Sequence, residues 1–194
     1  MTASQPAFYF DLASPDAYLA AERAADVLGT VPEWVPVLVD SLPGGGDAFR
    51  CGEELEIFKA DVERRAAEQG LQPVRWPAGW PGDARPAMLV ATYALQIGRV
   101  VAFSLAAFRQ AFAAGRDLST PEGVIVAAAA CELHPRAVLQ ALEMRSVGEA
   151  LDEATREAAA AGVTRVPAIR IRDEVFDGDD APEKAASAMR AVTR

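Results

Sequence analysis

The stretch Ala7-Phe8-Tyr9-Phe10-Asp11-Leu12-Ala13-Ser14-Pro15-Asp16-Ala17-Tyr18-Leu19-Ala20 decides the fold. Its first half is a short apolar and aromatic run, the pattern of a buried strand. Its second half is a helix start. Ser14 can cap the first turn through its hydroxyl, Pro15 suits the first helical position because its missing amide proton is not needed there, and Asp16 favours the positive end of the helix dipole. Ala17, Ala21, Ala24 and Leu28 then keep one apolar face until Gly29 ends the helix. A second apolar run follows, Trp34-Val35-Pro36-Val37-Leu38-Val39. It predicts another strand, moved toward a sheet edge by Pro36, which has no amide proton to give to a ladder. Strand, helix and strand make a βαβ unit with the usual right-handed crossover.

Outward from that unit the chain changes character twice. Residues 41–46 form a Gly/Pro loop, and 53–69 read as a charged amphipathic helix ending at Gly70. Residues 72–82, rich in Pro, Gly and Trp, predict an irregular connection. From about 83 to 162 one helix follows another, over 84–96, 100–114, 121–131, 135–143 and 147–161, separated by Gly, Pro or Ser. Regularly placed Leu, Phe, Val and Met among the alanines indicate a packed bundle. After Gly162, Pro167-Ala168-Ile169-Arg170-Ile171-Arg172 alternates as a half-buried strand does, Asp173-Glu174 turns the chain, and Val175-Phe176 form a partner strand. Asp180 and Glu183 are spaced for a capping box on a last helix. The predicted class is α/β, βαβ then ββα, with residues 1–40 and 162–194 forming one unit. Residues 41–161 supply a connecting segment and a large all-helical insertion within the same compact body.

Composition narrows the function. With 194 residues and 51% hydrophobic content, one good core is affordable, and a net charge of -9 repels a phosphate backbone, so nucleic acid is not an expected partner. Residues 1–7 lack a basic start and an apolar stretch, and no apolar run approaches the ~20 residues that span a bilayer. A soluble, cytoplasmic protein with no membrane partner is expected. The two cysteines are far apart, so neither a CxxC pair nor a metal cluster can be read. Cys131 reads as core packing and Cys51 as a polar-loop cysteine with no helix N-terminus behind it. His134, the single histidine, precedes Pro135 and reads as a cap or surface residue.

Three motifs carry a family likeness over nearly the whole chain. They are Phe8 through Ala20 in the stretch above, Gly162-Val163-Thr164-Arg165-Val166-Pro167-Ala168, and Phe176-Asp177-Gly178-Asp179-Asp180. Together with the element order they resemble the DsbA-like branch of the thioredoxin superfamily, and within it the 2-hydroxychromene-2-carboxylate isomerases and kappa-class glutathione transferases. The resemblance implies a thioredoxin-like fold, a cis peptide at Val166-Pro167, and a ligand bound by Ser14, Val166, Pro167, Asp179 and Asp180. The two aspartates would meet the amino group of a γ-glutamyl moiety.

Ser14-Pro15-Asp16-Ala17 stands where redox relatives have Cys-x-x-Cys, so disulfide chemistry is excluded at that position. A helix N-terminus favours an anion, and a thiolate is one. What the resemblance then implies is a cofactor of the glutathione type, or another low-molecular-weight thiol, stabilised as thiolate by Ser14. The activity would be that of an isomerase or transferase on a small conjugated or aromatic substrate. A different reading is a catalytically silent relative that binds a peptide or partner beside Val166-Pro167. A homodimer through the helical insertion is implied by analogy, and Trp76, Trp80 and Tyr18 are candidates for an apolar substrate wall. Departures from the pattern make the site more acidic: Asp16 replaces an aromatic residue, Asp83 replaces an Asn, and Ser41 through Phe49 does not align with a segment that carries Asn and Lys in relatives.

Overall fold

The computed structural model describes residues 5–46 and 48–192, so the polar start at 1–4, Asp47 after the Gly/Pro loop, and residues 193–194 lie outside it. Four strands form one sheet in the order β2-β1-β3-β4, with β1 (Ala7–Phe10) parallel to β2 (Glu33–Pro36) and antiparallel to β3 (Ala168–Ile171). Strand β4 (Glu174–Asp177) pairs antiparallel with β3. Helix α1 (Pro15–Leu28) connects the parallel strands, and α8 (Ala181–Val192) follows β4. This is the expected thioredoxin-like arrangement, with βαβ and ββα joined at the centre of the sheet.

Strand β1 is buried along its length because the sheet is covered on both sides. Phe8 and Phe10 enter the larger core with Trp34, Tyr18 and Phe108, while Ala7 and Tyr9 enter a smaller one with Val37, Val163 and Ala158. Aromatic rings knit the larger core: Phe8 and Phe10 stack at 5.8 Å, and Trp34 meets both edge-on. Burying each such side chain is worth roughly 1.5–3 kcal/mol.

Between the two halves lie α2 (Gly52–Glu68), α3 (Arg85–Gln96), α4 (Val100–Phe108), α5 (Pro121–Ala129), α6 (Pro135–Glu143) and α7 (Arg145–Ala160). Several boundaries differ from expectation for identifiable reasons. The second strand ends at Pro36 rather than Val39, because the Leu38 amide turns to Thr155 Oγ1 (3.0 Å) and the Val39 amide to Asp11 Oδ2 (2.9 Å). The helix expected to reach residue 114 becomes a π-turn at Arg109–Ala113. Carbonyls there serve outside partners: Gln110 accepts from the Arg116 amide and Phe112 from the Arg75 amide. Arg172 leaves the expected strand alternation and sits in the hairpin turn with φ 56°. Among the described residues, no helix is long and apolar enough to cross a membrane.

Candidate active site

Ser14 sits where β1 runs into α1. Its backbone is extended, its amide donates to the Asp11 carbonyl (3.1 Å), and its Oγ accepts from the Ala17 amide (3.1 Å). The hydroxyl proton has no acceptor among the described residues. Pro15 has no amide, Ala17 is engaged with Ser14 Oγ, and Tyr18 donates to the Ser14 carbonyl. The Asp16 amide is therefore the first-turn N–H left without a partner among the described residues, at the positive end of a 14-residue helix.

A cavity of about 840 Å³ opens over this turn, and Ser14, Val166 and Asp179 share its walls. The Val166–Pro167 peptide bond is cis. The backbone N–H and C=O of Val166 have no partner among the described residues, which leaves them to a ligand in extended conformation. Pro167 and Asp180, assigned to the ligand from sequence, are not part of the cavity wall. The Pro167 carbonyl instead accepts from the Gly178 amide (3.0 Å), tying the cis segment to the approach of α8. Asp180 pairs with Lys184 (2.8 Å), and Glu183 pairs with Arg23, so the two acids expected to form a capping box engage basic side chains. Arg23 also donates to the Asp179 carbonyl.

Residues without an assigned role complete the site. Asp11 is 4% exposed and its two oxygens hold the Ala13 amide (2.9 Å) and the Val39 amide (2.9 Å), which fixes the Ser14 turn against the end of β2. Burial pushes its carboxyl up to about 6; the two amides pull the other way, and Asp40 and Asp83 add a small push. A charged residue closing an otherwise apolar strand was the available sequence signal. Arg65 of α2 donates to Asp16 (2.6 Å) and Asp61 (2.8 Å) and lies 3.7 Å from Asp179. Burial works against its charge, and Asp16 and Asp61 more than restore it. Asp61 and Arg65 form a local i,i+4 pair on α2, whereas no local pattern announces Asp16 and Asp179, which come from distant segments.

The loop that could not be aligned closes one side. The Gly44 amide donates to the Thr164 carbonyl (2.7 Å), and a Cβ at Gly44 would lie 2.5 Å from that oxygen, so only glycine permits this approach. Trp80 fixes the opposite side, with its Nε1–H on the Ala13 carbonyl (2.9 Å) and its ring stacked on Phe58. Trp80 also walls an adjoining pocket of about 280 Å³ with Leu12, Pro77, Phe112 and Leu118. Of the other two aromatic candidates, Trp76 packs beside Trp80 at 4.6 Å, and Tyr18 is stacked on Phe112 in the core. Neither lines the cavity over Ser14.

Cys131 is buried, and burial pushes its thiol up. Cys51 corrects its sequence reading: it is the exposed N-cap residue of α2 rather than a cysteine without a helix behind it. His134 is the exposed cap of α6, its Nδ1 accepting from the Arg136 amide (3.1 Å).

Comparison with known proteins agrees with this architecture. No curated protein matches the chain in sequence. A solved 2-hydroxychromene-2-carboxylate isomerase is similar with a TM-score of 0.84 at 23% identity, covering 98% of this chain and 97% of that one. A probable DsbA oxidoreductase from Streptomyces coelicolor is similar with a TM-score of 0.80 at 20% identity, covering 97% and 89%. The cytosolic disulfide reductase DsbM from Pseudomonas aeruginosa, solved with GSH, gives 0.67 at 16% identity, covering 98% and 100%. At these identities the likeness is one of fold. The family model of the DSBA-like thioredoxin domain matches residues 7–190, and the chain belongs to that family.

Proposed function

We propose that the cavity binds a low-molecular-weight thiol with its sulfur at Ser14 and presents it to a small conjugated or aromatic substrate, making the chain a thiol-dependent isomerase or transferase. The observation that carries the reading is the meeting of Ser14, at the start of α1, with the unpaired backbone of Val166 on one cavity wall. A buried hydroxyl with an uncommitted proton, a free first-turn amide and a helix dipole fit a sulfur anion. Likeness to an isomerase, and to a disulfide reductase solved with GSH, supports the reading.

A bound thiol supplies a nucleophile whose reversible addition to a conjugated carbonyl compound lets the former double bond rotate. The chain's part is to bind and polarise. Ser14 Oγ donates to the sulfur, which raises the thiolate fraction of a group that ordinarily titrates near ~8.5. Ser14 is not itself the nucleophile in this scheme, because the chain's single histidine is committed to capping α6. The Val166 backbone holds the peptide-like part of the thiol. The pocket between Trp80 and Phe112 takes the flat apolar substrate and excludes water from the reacting end.

Calorimetric titration with N-acetylcysteamine and its S-methyl derivative tests the site, alongside thiol-dependent isomerisation of a conjugated keto acid. The free thiol should bind at least about tenfold tighter, the value of one charge-assisted hydrogen bond. Equal binding would remove thiolate recognition. Absence of binding would leave the peptide-binding reading, which the free Val166 backbone also suits.

A further inference from the structure

We propose that this cavity selects against thiols with anionic ends, and takes a low-molecular-weight thiol whose termini are uncharged or cationic rather than glutathione. The selection presupposes the thiol site proposed above and concerns what is attached to the sulfur. Glutathione carries two carboxylates and one ammonium group, so a site for it needs cationic side chains or free N–H donors for two carboxylates. The sulfur-bearing end of the cavity suits any thiol; the surroundings do not suit two carboxylates.

Asp11, Asp16, Asp40, Asp61, Asp83 and Asp179 all line the cavity, against Arg65, Arg85 and Arg165. Arg65 is already held by Asp16 and Asp61 and lies within ion-pair range of Asp179. A ligand carboxylate could reach it only by displacing one of those acids and leaving it uncompensated beside the others. Arg85 donates to Asp152 of α7 (3.2 Å), and its backbone amide holds Asp83 (2.7 Å). Arg165 remains, exposed, and it is the one cavity arginine without a partner among the described residues. It can meet one carboxylate. A second would sit among aspartates with no cation to face. An ammonium group or a hydroxyl-rich end instead finds Asp40, which has no partner among the described residues, and the second oxygen of Asp83.

Titrating glutathione and glutathione diethyl ester against the intact protein isolates the effect, because the ester keeps the thiol and peptide and removes both carboxylate charges. The ester should bind on the order of tenfold tighter at about 20 mM salt, and the preference should fall to about two- to threefold at about 500 mM. In Asp16→Asn/Asp83→Asn, the two ligands should bind within about threefold of each other at low salt. The wild-type salt titration decides the question even if that variant fails to fold. Glutathione binding as well as the ester or better, or a preference indifferent to salt, would overturn the selection and leave the thiol site standing. Failure of both compounds to bind would overturn the selection together with the thiol site.

Discussion

The cavity has a floor and a rim built on opposite terms. On the floor, Asp11, Ser14 and Val166 are buried, at 4%, 7% and 7% exposed, and the first two are fixed by hydrogen bonds to backbone groups that the sheet and α1 hold in place. On the rim, Asp40 in a short 3-10 turn and Asp83, Arg165 and Asp179 on loops are exposed side chains. The difference separates two tasks. The floor sets where a sulfur anion can sit and is bound up with folding, whereas the rim sets what may be attached to that sulfur and can vary without disturbing the sheet. Changes on the floor should alter chemistry or stability, and changes on the rim should alter preference.

The largest effect is expected at Ser14. Ser14→Ala should cost only ~1 kcal/mol of stability, the usual worth of an N-cap. Thiol-dependent turnover should fall about 30- to 1000-fold, because one hydrogen bond to an anion is worth roughly 2–4 kcal/mol there. Steady-state kinetics beside a urea melt read both quantities, and a turnover loss no larger than the stability loss would erase the distinction between floor and rim.

Next in size is a pH effect at Asp11. Its carboxyl is raised by burial from 3.8 to about 6 in the folded chain, so the native state holds this proton more tightly than the unfolded one. Its stabilisation is complete below about pH 4 and is lost as the pH rises through about 6, a swing of about 3 kcal/mol. Asp11→Asn removes the swing. The variant must also set its side-chain NH₂ against the Ala13 or Val39 amide, at a pH-independent cost of roughly 1–3 kcal/mol. Urea melts between pH 4 and 7 should therefore show the stability of wild type relative to Asp11→Asn falling by about 3 kcal/mol as pH rises, so that the low-pH advantage of wild type vanishes or reverses. A constant difference would mean that the carboxyl titrates as if exposed.

A smaller effect tests where the rim begins. Gly44→Ala places a methyl group 2.5 Å from the Thr164 carbonyl oxygen, so the loop must move and its backbone hydrogen bond weakens. A loss of about 1–3 kcal/mol is expected. Gly52→Ala, where a Cβ meets nothing within 4 Å, is the control and should be neutral or slightly stabilising. Thermal melts of the two variants should separate by several degrees; coincident melts would show that the Gly44 loop is not pinned.

What the sequence made legible follows the same division. The Ser14-Pro15-Asp16 start of α1 and the apolar run before it could be read because each residue acts on its immediate neighbours. The partners of Ser14 across the cavity came only through resemblance, and there the structure keeps Val166 and Asp179 on the wall and turns Pro167 and Asp180 to backbone and helix duties. Asp61, four residues before Arg65 on α2, is a local partner, but the reach of Arg65 to Asp16 and Asp179 was illegible because those carboxylates lie in distant segments. The early end of β2 was illegible for a related reason. Thr155 and Asp11 take the amides of Leu38 and Val39 out of the ladder, and no pattern within residues 34–39 encodes those partners.

The most direct test of the thiolate site is the ultraviolet absorbance of a bound thiol followed against pH, with N-acetylcysteamine on wild type and on Ser14→Ala. A site that stabilises the sulfur anion gives a bound-thiol pKa below that of the same thiol free in water in wild type, and a return toward that value in the variant. Superimposed curves, or a bound thiol that titrates as it does in water, would contradict it.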